Sequence, residues 1–150
     1  MSQLIAFKGI EEERLQDAPF VGALLLANDC HKCCPGCFNQ YLRNKPVIRM
    51  SAKMIIQAVL ENPFHQGIIL GGLEWTEQPL DMIELITEAK RYEMQVMLYT
   101  HYTKKMFLYN FPMLKGSGIY VKFGEFKIGE ESHVSMGVSL ASNNQYIEKL

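Results

Sequence analysis

Cysteine is scarce in this sequence, and every cysteine lies in one short window. The four of them are Cys30, Cys33, Cys34 and Cys37. A disulfide framework ties distant segments of a chain together, so this distribution argues against a disulfide scaffold. Thiols crowded into one loop are instead typical of a metal site or a redox motif.

Strong net charge and long apolar runs are also lacking. The net charge is -1, which gives no electrostatic reason to expect a nucleic acid or an anionic membrane as partner. No apolar run approaches the roughly 18 residues of a membrane span. The apolar stretch 20–27 is too short and lacks the basic flank of a signal peptide. We therefore expect a cytoplasmic protein with no membrane or nucleic-acid partner.

The sequence has no internal repeat, no low-complexity tract and no linker rich in Pro, Gly or Ser, so we treat residues 1–150 as a single domain. Continuous apolar runs at 21–27, 67–70 and 96–99 predict strands buried on both faces. Further strands are predicted at 119–123 and 133–140.

Helix signals alternate with these strands. Ser51 suits the N-cap of a helix whose buried stripe contains Met54, Ile55, Ala58 and Val59, and Pro79 suits the first turn of the next helix. A short helix is predicted at 103–109. Strands alternating with helices predict an α/β fold with a mostly parallel sheet.

Ligands of such sheets bind beyond the carboxyl ends of the strands. Three segments follow predicted strands directly: the cysteine loop 29–39, the Gly71-Gly72 turn and the Tyr99-Thr100 pair. We expect these segments to converge on one edge of the sheet.

The cysteines can be grouped in two ways. In the first, two adjacent C-x2-C units pair Cys30 with Cys33 and Cys34 with Cys37. Zinc sites normally place two such units far apart in the chain. A single redox C-x2-C unit would leave the other two cysteines unexplained. A C-x3-C-x2-C triplet of Cys30, Cys34 and Cys37 could hold three irons of a 4Fe–4S cluster and leave the fourth open to a small molecule. We favour the triplet, with Cys33 as a bystander; zinc and redox sites are the alternatives.

The string Cys34-Pro35-Gly36-Cys37-Phe38-Asn39 resembles the activating protein of the anaerobic (class III) ribonucleotide reductase, a member of the radical SAM superfamily. The resemblance covers about residues 20–147. Four further elements of the family follow along the chain in the family's order. The sequence has Gly71-Gly72 where the family has a Gly-Gly-Glu turn, and Tyr99-Thr100 where it has a Tyr-Thr strand end. It has Gly124-Glu125-Phe126 for the family's Gly-x-Phe segment, and Ser142-Asn143-Asn144-Gln145 for its Ser-Asn-Gln element.

Three departures accompany the resemblance. Leu73 replaces the carboxylate expected in the turn, and Glu74 comes one residue later. Lys122 lies in a stretch where acidic residues are expected. Leu140 and Ala141 occupy the place of an expected arginine. These departures bear on the identity of the partner or substrate more than on the prediction of the cluster.

The resemblance implies a partial (βα) barrel of the radical SAM type. It implies an oxidoreductase that cleaves S-adenosylmethionine reductively at a 4Fe–4S cluster and generates a glycyl radical on an anaerobic ribonucleotide reductase, with a flavodoxin- or ferredoxin-type electron donor. The metal ligands would be Cys30, Cys34 and Cys37. The residues around S-adenosylmethionine would be Phe38, Asn39, Gly71, Gly72, Glu74, Tyr99, Asn144 and Gln145.

Two other functions remain open. Radical SAM chemistry could act on a different protein or on a small molecule, or the chain could be a zinc-binding adaptor without catalysis.

Overall fold

The computed structural model describes residues 3–30 and 39–150, and every structural statement below concerns those residues. None of the helices found there has the length and apolar character that crossing a bilayer would require. The strands and helices, in chain order, are β1 Leu4–Arg14, β2 Gly22–Ala27, β3 Ile48–Ser51, α1 Ala52–Leu60, β4 Gly67–Gly71, α2 Pro79–Arg91, β5 Gln95–Tyr99, α3 Lys104–Asn110, β6 Tyr120–Phe123, β7 His133–Ser135, β8 Val138–Leu140 and β9 Tyr146–Lys149.

Seven of these strands form one mixed sheet within the described chain, in the order β3-β1-β2-β4-β5-β6-β9. The four central strands, β2, β4, β5 and β6, run parallel to one another. Strands β1 and β3 extend the sheet on one side as antiparallel neighbours, and β9 does so on the other. Strands β7 and β8 form a separate antiparallel hairpin.

The predicted architecture, a mostly parallel sheet forming a partial (βα) barrel, is wrong. The sheet is mixed, and the described residues form only three α-helices. The error arose at the two sides of the sheet, because β1, β3 and β9 were not predicted. Strands β3 and β9 contain four residues each and include charged ones. Strand β1 begins with the apolar run 4–7 but continues through Lys8 and the acidic residues 11–13, so its pattern is that of a half-exposed strand.

The two faces of the sheet are covered differently. Alternate side chains point to opposite faces of a strand, so Ile68 and Leu70 of β4 pack with the helices in the main core, while Ile69 faces the other way. Ile69 packs in a second, smaller cluster with Val138 and Leu140 of the hairpin. The hairpin therefore covers part of the face that the helices leave open.

The predicted starts of the first two helices are confirmed, but one residue of the predicted buried stripe is not buried. The Ser51 hydroxyl accepts a hydrogen bond from the Met54 amide at 3.2 Å, and Pro79 occupies the first turn of α2. Met54 was predicted to lie on the buried stripe of α1, but it is 55% exposed. Ala52 and Ile56 are buried on that helix instead.

Gly67 sits where β4 meets β5 so closely that no side chain fits. A Cβ atom added there would lie 2.1 Å from the backbone oxygen of Gln95. We expect Gly67→Ala to lower the free energy of unfolding by about 3 kcal/mol, because backbone cannot yield as a flexible side chain does. Urea denaturation measures this loss.

Gly116→Ala is the control, since a Cβ at Gly116 meets nothing within 4 Å and the substitution strains only a positive φ of 78°. Its expected cost is about 1 kcal/mol. Equal losses for the two variants would contradict the close approach of β4 and β5.

Candidate cofactor site

A cavity of about 450 Å³ lies at the carboxyl ends of the four parallel strands. Its floor is a row of residues on one face of the sheet. Leu26 of β2 is paired in register with Gly71 of β4, and Tyr99 of β5 with Lys122 of β6. All four line the cavity. The cavity therefore lies at the edge of the sheet where the strand ends were predicted to converge.

The turn after β4 depends on a glycine. Gly72 has a φ of 82°, a left-handed conformation that costs little only without a side chain. A Cβ atom at Gly72 would also lie 2.9 Å from Leu26 Cδ2 and 3.2 Å from Leu42 Cδ1. The turn can therefore pack directly onto β2 and onto the short 3-10 helix Gln40–Asn44.

The same turn holds the two ends of the cysteine loop. The Glu74 amide donates to the Asp29 carbonyl at 3.0 Å, and the Asn39 side-chain amide donates to the Gly72 carbonyl at 2.7 Å. Between these anchors, Cys30 begins the loop, and its amide donates to the Asp29 carboxylate at 2.7 Å. Cys30 is half-buried and lines the cavity.

Glu74 is a buried carboxylate, 4% exposed, that accepts hydrogen bonds from its own chain. The Thr76 hydroxyl donates to Oε2 at 2.7 Å, and the His101 amide donates to Oε1 at 2.9 Å. The His101 ring nitrogen Nε2 lies 3.8 Å from the same Oε1. Glu74 thus connects the turn after β4 with the turn after β5.

Tyr99 and Lys122 form the part of the cavity floor that lies on β5 and β6. The Tyr99 hydroxyl donates to the Asp17 carbonyl at 2.6 Å, and burial, with the nearby Asp17 charge, raises the pKa of Tyr99, so the phenol remains a donor. Lys122 is 7% exposed. Its ammonium group donates a hydrogen bond to the Gly124 carbonyl at 2.7 Å and lies 5.9 Å from the centre of the Tyr99 ring.

Gln145 closes the cavity from the segment after the hairpin. It is buried, its side-chain oxygen accepts from the Ser142 amide at 3.2 Å, and its side-chain nitrogen donates to the Gly124 carbonyl at 3.2 Å. Asn144 is not among the described residues that line the cavity. Its amide donates to the Glu125 carbonyl at 2.9 Å.

Most of the predicted site residues that the structure describes lie around this one cavity. Cys34, Cys37 and Phe38, together with Cys33, fall outside the described residues. The predicted residues that line the cavity are Cys30, Asn39, Gly71, Gly72, Glu74, Tyr99 and Gln145.

The charged residues at the mouth of the cavity, Arg14, Asp17 and Arg43, were not predicted. Arg14 and Asp17 follow from β1, which was not predicted, and Arg14 contacts the carboxylates of Glu11 and Asp17 at 3.0 and 2.5 Å. Arg43 lies 3.6 Å from Asp29. For Lys122 there was a signal, since a lysine inside an otherwise apolar buried strand is unusual.

Residues 20–147 match the model of the family described as 4Fe-4S single cluster domain, which is most of the chain. The chain belongs to the 4Fe-4S single cluster domain family. No curated protein matches it. The matched region contains the cysteine loop and all the strands that line the cavity except β1.

The residues present fit the cluster of a 4Fe-4S single cluster domain. Iron–sulfur clusters are held by cysteine thiolates, and Cys30 offers one at the wall of the cavity. Gly71 and Gly72 keep the facing turn free of side chains at the point where the cavity opens. The two described ends of the cysteine loop, Cys30 and Asn39, therefore both adjoin the cavity.

Glu74→Gln tests the connection between the two turns. Each oxygen of the Glu74 carboxylate accepts from a backbone N–H group, Oε1 from His101 and Oε2 from Thr76, so a glutamine would turn its own NH2 group toward one of these donors. We expect a loss of about 2 kcal/mol in the free energy of unfolding. Chemical denaturation of the anaerobically purified protein measures it. Glu130→Gln, at an exposed position, is the control and should cost almost nothing; equal stability of both variants would contradict the connecting role of Glu74.

Proposed function

We propose that this 4Fe-4S protein is a radical SAM activase. In this proposal Cys30, Cys34 and Cys37 hold three irons of the cluster, and the fourth iron binds S-adenosylmethionine, which occupies the adjoining cavity. The substrate is a glycine of an anaerobic ribonucleotide reductase, which becomes a glycyl radical. A flavodoxin- or ferredoxin-type protein supplies the electron.

One observation supports this proposal above the others. Residues from separate places in the chain, chosen for their resemblance to a S-adenosylmethionine site, line a single cavity beside Cys30. Its volume of about 450 Å³ lies within the usual range of small-molecule sites, roughly 300–1,000 Å³. A cluster that only transferred electrons would need no such space beside it.

The chain's own residues would bind and orient the ligand. The Gly71-Gly72 turn would let the amino end of S-adenosylmethionine approach backbone carbonyls, as no side chain stands in the way. Leu24 and Leu26 give this part of the cavity an apolar wall, and the Tyr99 ring gives it an aromatic one. Asn39, whose side-chain amide donates a hydrogen bond to the Gly72 carbonyl, would fix the end of the cysteine loop against this turn.

When bound, the cluster and S-adenosylmethionine would supply a one-electron reductive cleavage of the sulfonium carbon–sulfur bond, yielding methionine and, after a hydrogen atom is taken from the partner's glycine, 5′-deoxyadenosine. The protein's part is to hold the reactants in place and exclude water. An open cavity is suited to a large protein substrate that covers it. Tyr41, which is 60% exposed, lies at the rim where such a partner would approach.

The cysteine triplet is tested by single substitutions. Anaerobic reconstitution of the wild type should give about four irons and four sulfides per chain. Cys33→Ala should keep this cluster, since the triplet leaves Cys33 without a role as ligand. Cys34→Ala should lose it. Iron and sulfide analysis with the visible absorption spectrum measures both variants. Loss of the cluster in Cys33→Ala would contradict the triplet, and stoichiometric zinc in place of iron would favour the adaptor.

The activase proposal is tested by product analysis. The reduced, reconstituted protein should convert S-adenosylmethionine to 5′-deoxyadenosine and methionine, quantified by liquid chromatography. With an anaerobic ribonucleotide reductase added, a glycyl radical should appear in the electron paramagnetic resonance spectrum. Cleavage without a radical would favour another substrate. No cleavage at all would contradict the radical SAM proposal, and a Cys34→Ala protein is the negative control.

A further inference from the structure

The charged residues of this protein are unevenly distributed along the chain. Between Asp29 and Glu61 the sequence has five lysine or arginine residues and no carboxylate, although the whole chain has 15 basic and 16 acidic residues. Four of the five fall within residues 43–53, which we call the basic segment; they are Arg43, Lys45, Arg49 and Lys53. The basic segment includes β3 and the start of α1.

Three of these four cations have no carboxylate partner in the part of the chain that the structure describes. Lys45, Arg49 and Lys53 are exposed, and none of them takes part in an ion pair there. Arg43 is set apart from them, since its guanidinium lies 3.6 Å from the Asp29 carboxylate. Because the three free charges share one short stretch, their fields add over one surface.

The register of the sheet places the basic segment beside the start of the cysteine loop. Phe7 of β1 pairs with Ile48 of β3 on one side and with Ala27 of β2 on the other. Ile48 and Ala27 are therefore two strands apart, or about 10 Å at the usual spacing of strands. Ala27 ends β2 shortly before Cys30. The 3-10 helix Gln40–Asn44 joins the basic segment to the other end of the loop.

A buried lysine fixes the backbone of the basic segment. Lys8 is 9% exposed, and its ammonium group donates to the Arg43 carbonyl at 3.2 Å and to the Lys45 carbonyl at 2.7 Å. Strand β3 lies at the end of the sheet and exposes Val47 and Ile48 nearby. Exposed apolar side chains among cations are thus held in place before any partner binds, as in the apolar centre and polar rim of a protein interface.

The charge of this surface indicates the kind of partner it fits. A cluster of like charges attracts and orients a protein of opposite charge, and its main effect is on the rate of association. The net charge of the whole chain is -1, so an extended polyanion such as a nucleic acid would be attracted only over this small area. An acidic protein of limited contact area is the better match.

We infer that the basic segment is the docking surface of an acidic electron-donor protein. The inference rests on the proposed function, which requires such a donor, and it adds where the donor binds. The docked donor loses one electron and the cluster gains it, with no bond formed or broken. None of residues 45–53 lines the cavity, so the donor would approach beside the cavity and leave it free for S-adenosylmethionine.

Stopped-flow absorption spectroscopy of the anaerobically reconstituted protein tests this surface without relying on turnover. The probe is a photoreduced flavodoxin of strongly negative net charge, and the readout is the second-order rate constant for reduction of the cluster. At low ionic strength, the variant with Lys45→Glu, Arg49→Glu and Lys53→Glu should react about tenfold more slowly or less, the scale of electrostatic steering. The difference should shrink to about twofold at roughly 0.5 M salt, which screens exposed charges.

A matched control separates this surface from the net charge. Lys105→Glu, Lys115→Glu and Lys127→Glu together change the net charge by the same amount at exposed positions near β5 and β6, and should slow the reaction less than about threefold. Dithionite should reduce the clusters of all three proteins to the same end point. A basic-segment variant that does not retain its cluster is replaced by Lys45→Gln, Arg49→Gln and Lys53→Gln, with glutamine in the control as well.

The outcomes for the surface and for the proposed function are distinct. Equal slowing by the two triple variants, slowing by neither, or a wild-type cluster that the flavodoxin does not reduce would overturn the docking surface. Rapid reduction of the wild type by the flavodoxin, slowed only by the basic-segment variant and without cleavage of S-adenosylmethionine, would support the surface and overturn the radical SAM activity alone.

Discussion

The turn Gly71–Glu74 is the constraint on which the rest of the site depends. Its left-handed glycine, Gly72, lets the backbone pack against Leu26 and Leu42 at distances that leave no room for a side chain. Only from that position can the turn reach both ends of the cysteine loop, through the Asp29 carbonyl on one side and the Asn39 amide on the other. Because the buried Glu74 carboxylate accepts the His101 amide, the same turn also fixes the end of β5.

The unequal covering of the sheet explains why a cavity forms beside this turn. Three helices pack on one face and bury the main core there, whereas the described part of the chain places only the β7–β8 hairpin and the segment around Phe20 on the other. The hairpin covers the middle of that face through Val138 and Leu140 and leaves the carboxyl ends of the strands open. Parallel strands that end at one edge then supply an apolar floor, a tyrosine and a buried lysine in a row.

The central strands and the helices could be predicted from the sequence because each carries a local signal. A continuous apolar run marks β2 and β4, and Ser51 and Pro79 mark the helix starts. Strand β1 could not be found this way, since its pairing with β2 and β3 comes from tertiary contacts and only three of its eleven residues are buried. The site residues near the glycine turn were predicted from a resemblance of motifs, and the structure places most of the described ones at one cavity. Arg14 and Asp17 were missed with β1, which brings them to the cavity mouth.

In the proposed function, the fourth iron of the cluster faces the cavity and binds the amino group of S-adenosylmethionine beside the Gly71–Glu74 turn. Pulsed electron paramagnetic resonance of the reduced, reconstituted protein tests it most directly, with S-adenosylmethionine carrying an isotopic label at its amino nitrogen. We expect a hyperfine coupling between that nitrogen and the cluster, and this coupling should change with the label. A cluster spectrum that is the same with and without S-adenosylmethionine would contradict it.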